Sequence, residues 1–236
     1  MNIEKYKQLL AEIKPYNAKL IAVSKTKPVE DIAQLYEVGQ RIFGENKVQE
    51  MVAKYEVLPK DIEWHLIGHL QTNKVKYIAP FVSLVHSVDS LKLLLEINKQ
   101  AEKNNRIIDC LLQIFIAQEE TKFGLSVEEL YQLLQSKEYT ACKNIRICGF
   151  MAMATNTINE TKVAQEFSFL KNLFEHVKQK HFSVSNDFKE LSIGMSSDYK
   201  IALRNGATLI RVGSVIFGER NYWAGTDNTP LTTKFS

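Results

Sequence analysis

Eight short, mostly apolar runs recur along the chain, each followed by a helix-like segment. The runs are Leu20–Val23, Arg41–Gly44, Glu63–Gly68, Ser83–Ser87, Ile107–Ile116, Ile145–Met153, Glu190–Gly194 and Thr208–Val212. Most are too short for helices, and their near-continuous apolar character is that of strands covered on both faces. Between them the period changes to that of a helix. Val163, Phe167, Leu170, Phe174 and Val177 step by four and three and make one stripe. Val127, Leu130, Tyr131 and Leu134 make another, as do Leu91, Leu94, Leu95 and Asn98. Gly39 and Asn205–Gly206 are helix stop signals.

Alternating strands and helices imply a parallel sheet with right-handed crossovers. Eight is a number that closes such a sheet into a barrel, and 236 residues suit a single (β/α)8 domain spanning the chain. An open doubly wound sheet is the competitor. It would carry a glycine-rich fingerprint after its first strand, whereas Ser24-Lys25-Thr26-Lys27-Pro28 contains no glycine. Met1 to Tyr16 is expected to add a helix ahead of the first strand.

Composition excludes several classes. The net charge of +3 comes from interspersed charges of both signs. The short basic clusters Lys103–Arg106 and Lys143–Arg146 are expected to be solvated faces, so no nucleic-acid partner is expected. Cys110, Cys142 and Cys148 form no C-x-x-C pair and have no histidine at metal-ligand spacing. They are read as free thiols in a reducing compartment. No apolar stretch reaches the length of a membrane helix, and Met1–Leu10 carries charges where a signal peptide would be apolar. The expectation is a soluble, cytoplasmic protein.

In parallel barrels the chemistry gathers where strands end. Lys25 follows Leu-Ile-Ala-Val-Ser directly, so its stem leaves the barrel core and its amine reaches the mouth. Lost hydration, with Lys27 and Arg211 nearby, would lower its pKa and free the amine to attack an aldehyde. The alternative is an ordinary strand-end lysine reaching solvent. After the seventh run, Gly194-Met195-Ser196-Ser197-Asp198 opens a helix; after the eighth comes Arg211-Val212-Gly213-Ser214. The loops after strands seven and eight are the usual phosphate-binding pair of such barrels. Helix capping by Ser197 and Asp198 and a simple turn at Gly213 are the alternatives. An amine that forms a Schiff base, together with a phosphate site, points to a phosphorylated aldehyde cofactor; a phosphosugar aldolase needs the same pair.

Weaker signals surround these. Asn46 either donates to a ring substituent or caps the helix starting at Lys47. His65 is expected to be a hydrogen-bonded core histidine. Met151 and Met153 are expected to pack inside the barrel, one of them in reach of a cofactor ring. His176 and His181 are expected on the surface of a long helix.

The segments Ala22-Val23-Ser24-Lys25-Thr26-Lys27-Pro28, Phe43-Gly44-Glu45-Asn46, Trp64-His65-Leu66-Ile67-Gly68-His69-Leu70-Gln71-Thr72-Asn73-Lys74, Gly149-Phe150-Met151-Ala152-Met153, Leu191 to Asp198 and Ile210 to Arg220 together resemble the pyridoxal phosphate homeostasis proteins. The resemblance implies a fold-type III barrel like the N-terminal domain of alanine racemase. It makes Lys25 the internal aldimine lysine of pyridoxal 5′-phosphate. It puts Ser196, Gly213 and Ser214 at the phosphate and Arg211 at the pyridine nitrogen, with a phosphate contact as the alternative. Asn46 and Met195 complete the expected cofactor-binding set. No catalytic or metal-binding residue is expected.

Members of that family are regarded as carriers or regulators of vitamin B6 and amino-acid balance, with enzymes lacking the cofactor as possible recipients. The alternative is an amino-acid racemase. Two-base racemisation needs a second proton carrier opposite the lysine. In alanine racemase a tyrosine from a second domain and a partner subunit supplies it. Only about 15 residues follow Arg220, fewer than a domain needs, and Tyr222 is the one tyrosine among them. A non-enzymatic, monomeric carrier is therefore expected.

Overall fold

A computed structural model describes residues 1–117 and 123–218. Its eight strands are β1 (Lys19–Val23), β2 (Ile42–Glu45), β3 (Glu63–Leu66), β4 (Leu84–Val88), β5 (Ile108–Gln113), β6 (Ile145–Met151), β7 (Glu190–Met195) and β8 (Leu209–Val212). They pair in sequence order, all parallel, and β1 closes on β8 through Lys19–Ala22 against Leu209–Val212. The closed barrel is the expected fold, and each strand falls within a residue or a few of its apolar run.

The helices are α1 (Ile3–Ile13), α2 (Val29–Glu37), α3 (Val48–Val57), α4 (Val75–Ile78), α5 (Leu91–Lys103), α6 (Val127–Gln135), α7 (Lys137–Thr140), α8 (Glu160–His181), α9 (Tyr199–Arg204) and α10 (Ser214–Phe217). The α8 stripe is buried at all five expected positions. Each large apolar side chain in it contributes roughly 2–3 kcal/mol of burial. Ser126 and Glu129 form a reciprocal capping box that starts α6. On α5 the buried face is Leu93, Leu94, Ile97 and Ala101. Leu91 and Leu95 are only half-buried, so the expected stripe there was rotated from the true one.

Strand alternation sorts the side chains into two layers. Leu20, Ala22, Phe43, Trp64, Leu66, Val85, Leu191, Ile193, Ile210 and Val212 face the helices and join one continuous core. Ile21, Leu84, Leu111, Cys148, Met151 and Leu209 pack in the barrel interior instead. Continuing the inward series of β1 past Ile21 and Val23 places Lys25 on the inner side at the mouth.

The two basic clusters are solvated as expected, with Lys103, Lys143 and Arg146 exposed and only Arg106 half-buried, and both arginines also have structural tasks. Arg106 donates to the carbonyls of Ala79 at 2.6 Å and Val82 at 2.8 Å. Arg146 grips Asp109 with two bonds, at 2.8 and 3.1 Å. Cys110 and Cys148 are buried free thiols, and burial pushes the Cys148 thiol up to about 12. Among the described residues no helix is long and apolar enough to cross a membrane.

Candidate functional site at the barrel mouth

A cavity of about 400 Å³ opens at the C-terminal ends of the strands. That volume lies in the range that holds small organic ligands. Lys25, Asn46, Met195, Ser196, Arg211, Gly213 and Ser214 all line it, together with Val23, Lys27, Ile67, Met153, Ser197 and Gly218. The fold thus gathers the seven expected residues from the ends of β1, β2, β7 and β8. A cavity of about 350 Å³ at the opposite end is lined by charges that largely pair with each other, including Lys19 with Glu190 at 3.5 Å and Arg146 with Asp109. The C-terminal mouth brings amine, hydroxyls and glycine together, whereas the opposite cavity has no glycine in its lining.

Lys25 sits in a tight turn closed by the Lys27 amide donating to the Ser24 carbonyl at 3.0 Å. The third residue of that turn, Thr26, has φ of +62°. Glycine or asparagine usually takes such a position. A β-branched residue held there stores about 1–3 kcal/mol of strain. Lys27 donates from Nζ to the carbonyls of Phe217 at 3.0 Å and Gly218 at 3.3 Å, tying β1's loop to the end of α10.

Behind this turn, in the layer between barrel and helices, lies a buried ionic cluster. Lys54 of α3 donates to the Ser24 carbonyl at 2.8 Å, to Glu45 Oε1 at 2.8 Å and to Glu50 Oε1 at 2.7 Å. Ser24 Oγ donates to Glu45 Oε1 at 2.6 Å, and the Thr26 amide donates to Glu50 Oε1 at 2.6 Å. Burial raises the Glu45 carboxyl pKa, opposed by the Lys54 charge, and Oε2 of Glu45 is buried with no hydrogen-bond partner. Burying such charges costs several kcal/mol per ion before their attraction is counted. Nothing local in the residue order marks this cluster, since Lys54 reads as an ordinary helix-surface lysine.

On the floor of the cavity, Arg211 is buried and donates from Nη1 to Ser192 Oγ at 2.7 Å and Ser192 O at 2.8 Å, and from Nη2 to Ala152 O at 3.1 Å. Burial lowers its pKa to about 10, with Asp198 opposing, so it stays charged at neutral pH. Ser192 Oγ is 2.9 Å from His86 Nδ1, and His86 Nε2 is 3.0 Å from His65 Nδ1. Arginine can only donate, and with the Ser192 hydroxyl passing its own hydrogen to His86 Nδ1 the column runs Arg211 to Ser192 to His86 to His65. It requires both imidazoles neutral. Burial accordingly drops the His65 pKa to about 3 and His86 well below its ordinary value. His65 is the hydrogen-bonded core histidine expected from the sequence.

The two terminal loops meet: the Gly213 amide faces Ser196 Oγ at 3.4 Å. Gly194, at φ +89°, turns β7 into its loop. The Met195 amide donates to Asp198 Oδ1 at 2.6 Å, so Asp198 closes the loop rather than capping α9 through a side-chain bond. Gly213 has a wall reason for being glycine: a Cβ there would lie 2.9 Å from the Val23 carbonyl oxygen and 3.2 Å from Val23 Cβ. The first residue of α3 is Val48 and its N-cap is Lys47, with no side-chain cap bond. Asn46 therefore does not cap this helix; one residue too early, it lines the cavity instead. Met153 lines the cavity while Met151 packs in the interior. His176 is on the exposed side of α8, and His181 is half-buried at its end. Tyr222 lies outside the described residues.

Residues 2–221 match the family model described as alanine racemase, N-terminal domain. The pyridoxal phosphate homeostasis protein of Aquifex aeolicus is 42% identical over 207 residues, which is 87% of this chain and 88% of that protein. The chain belongs to the pyridoxal phosphate homeostasis protein family. Its relative of the same name in Synechocystis is 37% identical over 91% of this chain and 97% of the relative. PipY of Synechococcus elongatus, solved without pyridoxal phosphate, superposes with a TM-score of 0.84 at 34% identity, covering 91% of this chain and 99% of PipY. PipY has also been solved with pyridoxal phosphate bound, and that structure matches with a TM-score of 0.80 at 33% identity. Alanine racemase from Bartonella henselae shares the fold, with a TM-score of 0.67 at 17% identity. This chain spans 58% of that racemase.

Proposed function

We propose that this chain binds pyridoxal 5′-phosphate covalently through Lys25 and acts as a carrier or regulator of the cofactor, without running a reaction on amino acids. One observation carries the reading: Lys25 and the two terminal loops, Met195–Ser197 and Gly213–Ser214, line one ligand-sized cavity. The match to PipY, which binds this cofactor, supports it. The cofactor's aldehyde accepts a lysine amine with loss of water, and its ring, when bound to an amino acid, withdraws electrons.

The residues of this chain fit that group. The loops after β7 and β8 offer hydroxyls of Ser196 and Ser214 and a backbone that Gly213 keeps close to β1, a suitable grip for a phosphate. Arg211 lies lower, on the cavity floor, with both terminal nitrogens engaged by Ser192 and Ala152. That position favours the ring nitrogen over the phosphate as its contact. A permanent cation there opposes ring-nitrogen protonation and so weakens electron withdrawal. Among the described residues, the ionisable groups lining the cavity are Lys25, Lys27 and Arg211. None is a natural second proton carrier for two-base racemisation.

The test is direct. Purified protein loaded with the cofactor should be yellow, and borohydride should fix the cofactor on Lys25. Lys25→Ala should abolish the label. A label on Lys27 or Lys74 would refute the assignment. Robust racemase turnover of alanine or serine by the purified chain would overturn the carrier reading.

A further inference from the structure

Three residues outside the cavity lining converge on the backbone either side of Lys25. Lys54 spends all three of its ammonium hydrogens at once, on the Ser24 carbonyl, Glu45 and Glu50, at 2.7 to 2.8 Å. Before Lys25, the Ser24 side chain is bonded to Glu45 and its carbonyl to Lys54. After Lys25, the Thr26 amide is bonded to Glu50. The turn held this way places threonine at φ +62°, a conformation it avoids when unconstrained. A charged cluster buried behind a strained turn is poorly explained by stability, because an apolar replacement would serve the core as well or better. Strain that its surroundings enforce is found where geometry is used.

We propose that Lys54, Glu45 and Glu50 are positioning residues for Lys25: they lock the strained Ser24–Lys27 turn so that the amine is presented to the cofactor at the cavity. None of the three lines that cavity. The inference rests on Lys25 being the cofactor lysine. Lys54 is the hub, since it holds both carboxylates and the Ser24 carbonyl. Glu50 is the arm on the far side of the turn, and its side chain is 24% exposed. Replacing it therefore disturbs the turn more than the core.

The experiment follows the appearance of the yellow band when cofactor-free protein is mixed with pyridoxal phosphate, for wild type, Glu50→Ala, Lys54→Met, Thr26→Gly and Thr26→Gly combined with Glu50→Ala. Glu50→Ala should slow capture roughly tenfold while the thermal transition stays close to that of wild type. Lys54→Met should slow it more. Glycine adopts the left-handed conformation without strain. The double variant should therefore recover to within about twofold of Thr26→Gly alone, which a purely structural loss would not allow. Capture by Glu50→Ala at the wild-type rate, or no recovery in the double variant, overturns the proposal. Hydrogen exchange at the Thr26 amide reads the clamp without cofactor: it should be protected in wild type and unprotected in Glu50→Ala. An unprotected amide in wild type also overturns the proposal. A borohydride label on another lysine would instead refute the function proposed for Lys25, while the exchange result would still decide the clamp.

Discussion

Nη1 of Arg211 reaches two atoms of one residue, the hydroxyl and the carbonyl of Ser192, at 2.7 and 2.8 Å. A single serine on β7 thus fixes the guanidinium of β8 and, through the same hydroxyl, orients His86 at 2.9 Å. The cavity floor is rigid because its cation is spoken for on the barrel side.

Ser192→Ala should therefore act on both stability and binding. It removes one bond to a buried charge and strands His86 Nδ1 without a donor. The expected cost is about 2 kcal/mol, which in a domain of this size lowers Tm by roughly 4–8 °C. The loosened Arg211 should raise the cofactor Kd as well. Calorimetry and a fluorescence titration measure the two effects. No change in either would show that the column is not formed.

The buried histidines set an acid response. His65 is held neutral in the fold, with its pKa lowered to about 3, and burial, with the Arg211 charge nearby, lowers His86 well below its ordinary value. In the unfolded chain each titrates near 6.5. Between those values the unfolded state binds more protons, so stability rises with pH and is lost as pH falls below about 6.5. At pH 5 His65 should cost about 2 kcal/mol relative to pH 7 or above, and His86 adds to the loss in the same direction. His65→Gln should flatten the slope of Tm against pH between 5 and 6.5 compared with wild type. An unchanged slope would mean that His65 does not stay neutral.

Gly213→Ala should be tolerated poorly despite the small change. The added methyl group would press on the Val23 carbonyl at 2.9 Å, and that contact is backbone rather than a yielding side-chain tip. The expected destabilisation is about 1–3 kcal/mol, with β8's loop displaced from β1 and weaker cofactor binding. Thermal melts and Kd of this variant measure it; a melt and Kd equal to those of wild type would show that the β1–β8 approach is looser than drawn.

Ser214→Ala should separate binding from folding. Ser214 is exposed and begins α10, so the fold should be unaffected. Loss of one hydroxyl from a phosphate grip should raise the cofactor Kd by about tenfold. Equilibrium dialysis checks it, and an unaltered Kd would remove Ser214 from the cradle.

Much of this was legible from residue order. Strands buried on both faces are apolar almost without interruption, so all eight could be marked before any pairing was known. Residues just past strand ends are forced to the mouth by the closed parallel barrel, which is why Lys25, Asn46, Ser196 and Gly213 could be collected from segments far apart. The α5 stripe was misjudged because leucines crowd that helix on more than one face, and only contact with the sheet chooses among them. Asn46 illustrates the same limit: asparagine is a good helix cap in isolation, yet the helix begins one residue later and the strand's inward parity sends Asn46 to the cavity.

Sequence alone determined the fold and the set of residues at the mouth, because hydrophobic period and strand ends are local properties. Only the tertiary structure decided which polar groups meet in the interior. Lys54 finds Ser24 across 30 positions and His86 finds Ser192 across 106. Such pairs depend on barrel register, where a shift of one residue turns every side chain to the other face. Local pattern carries no record of that register, so the ionic cluster behind Lys25 and the column beneath Arg211 emerge only when the barrel closes.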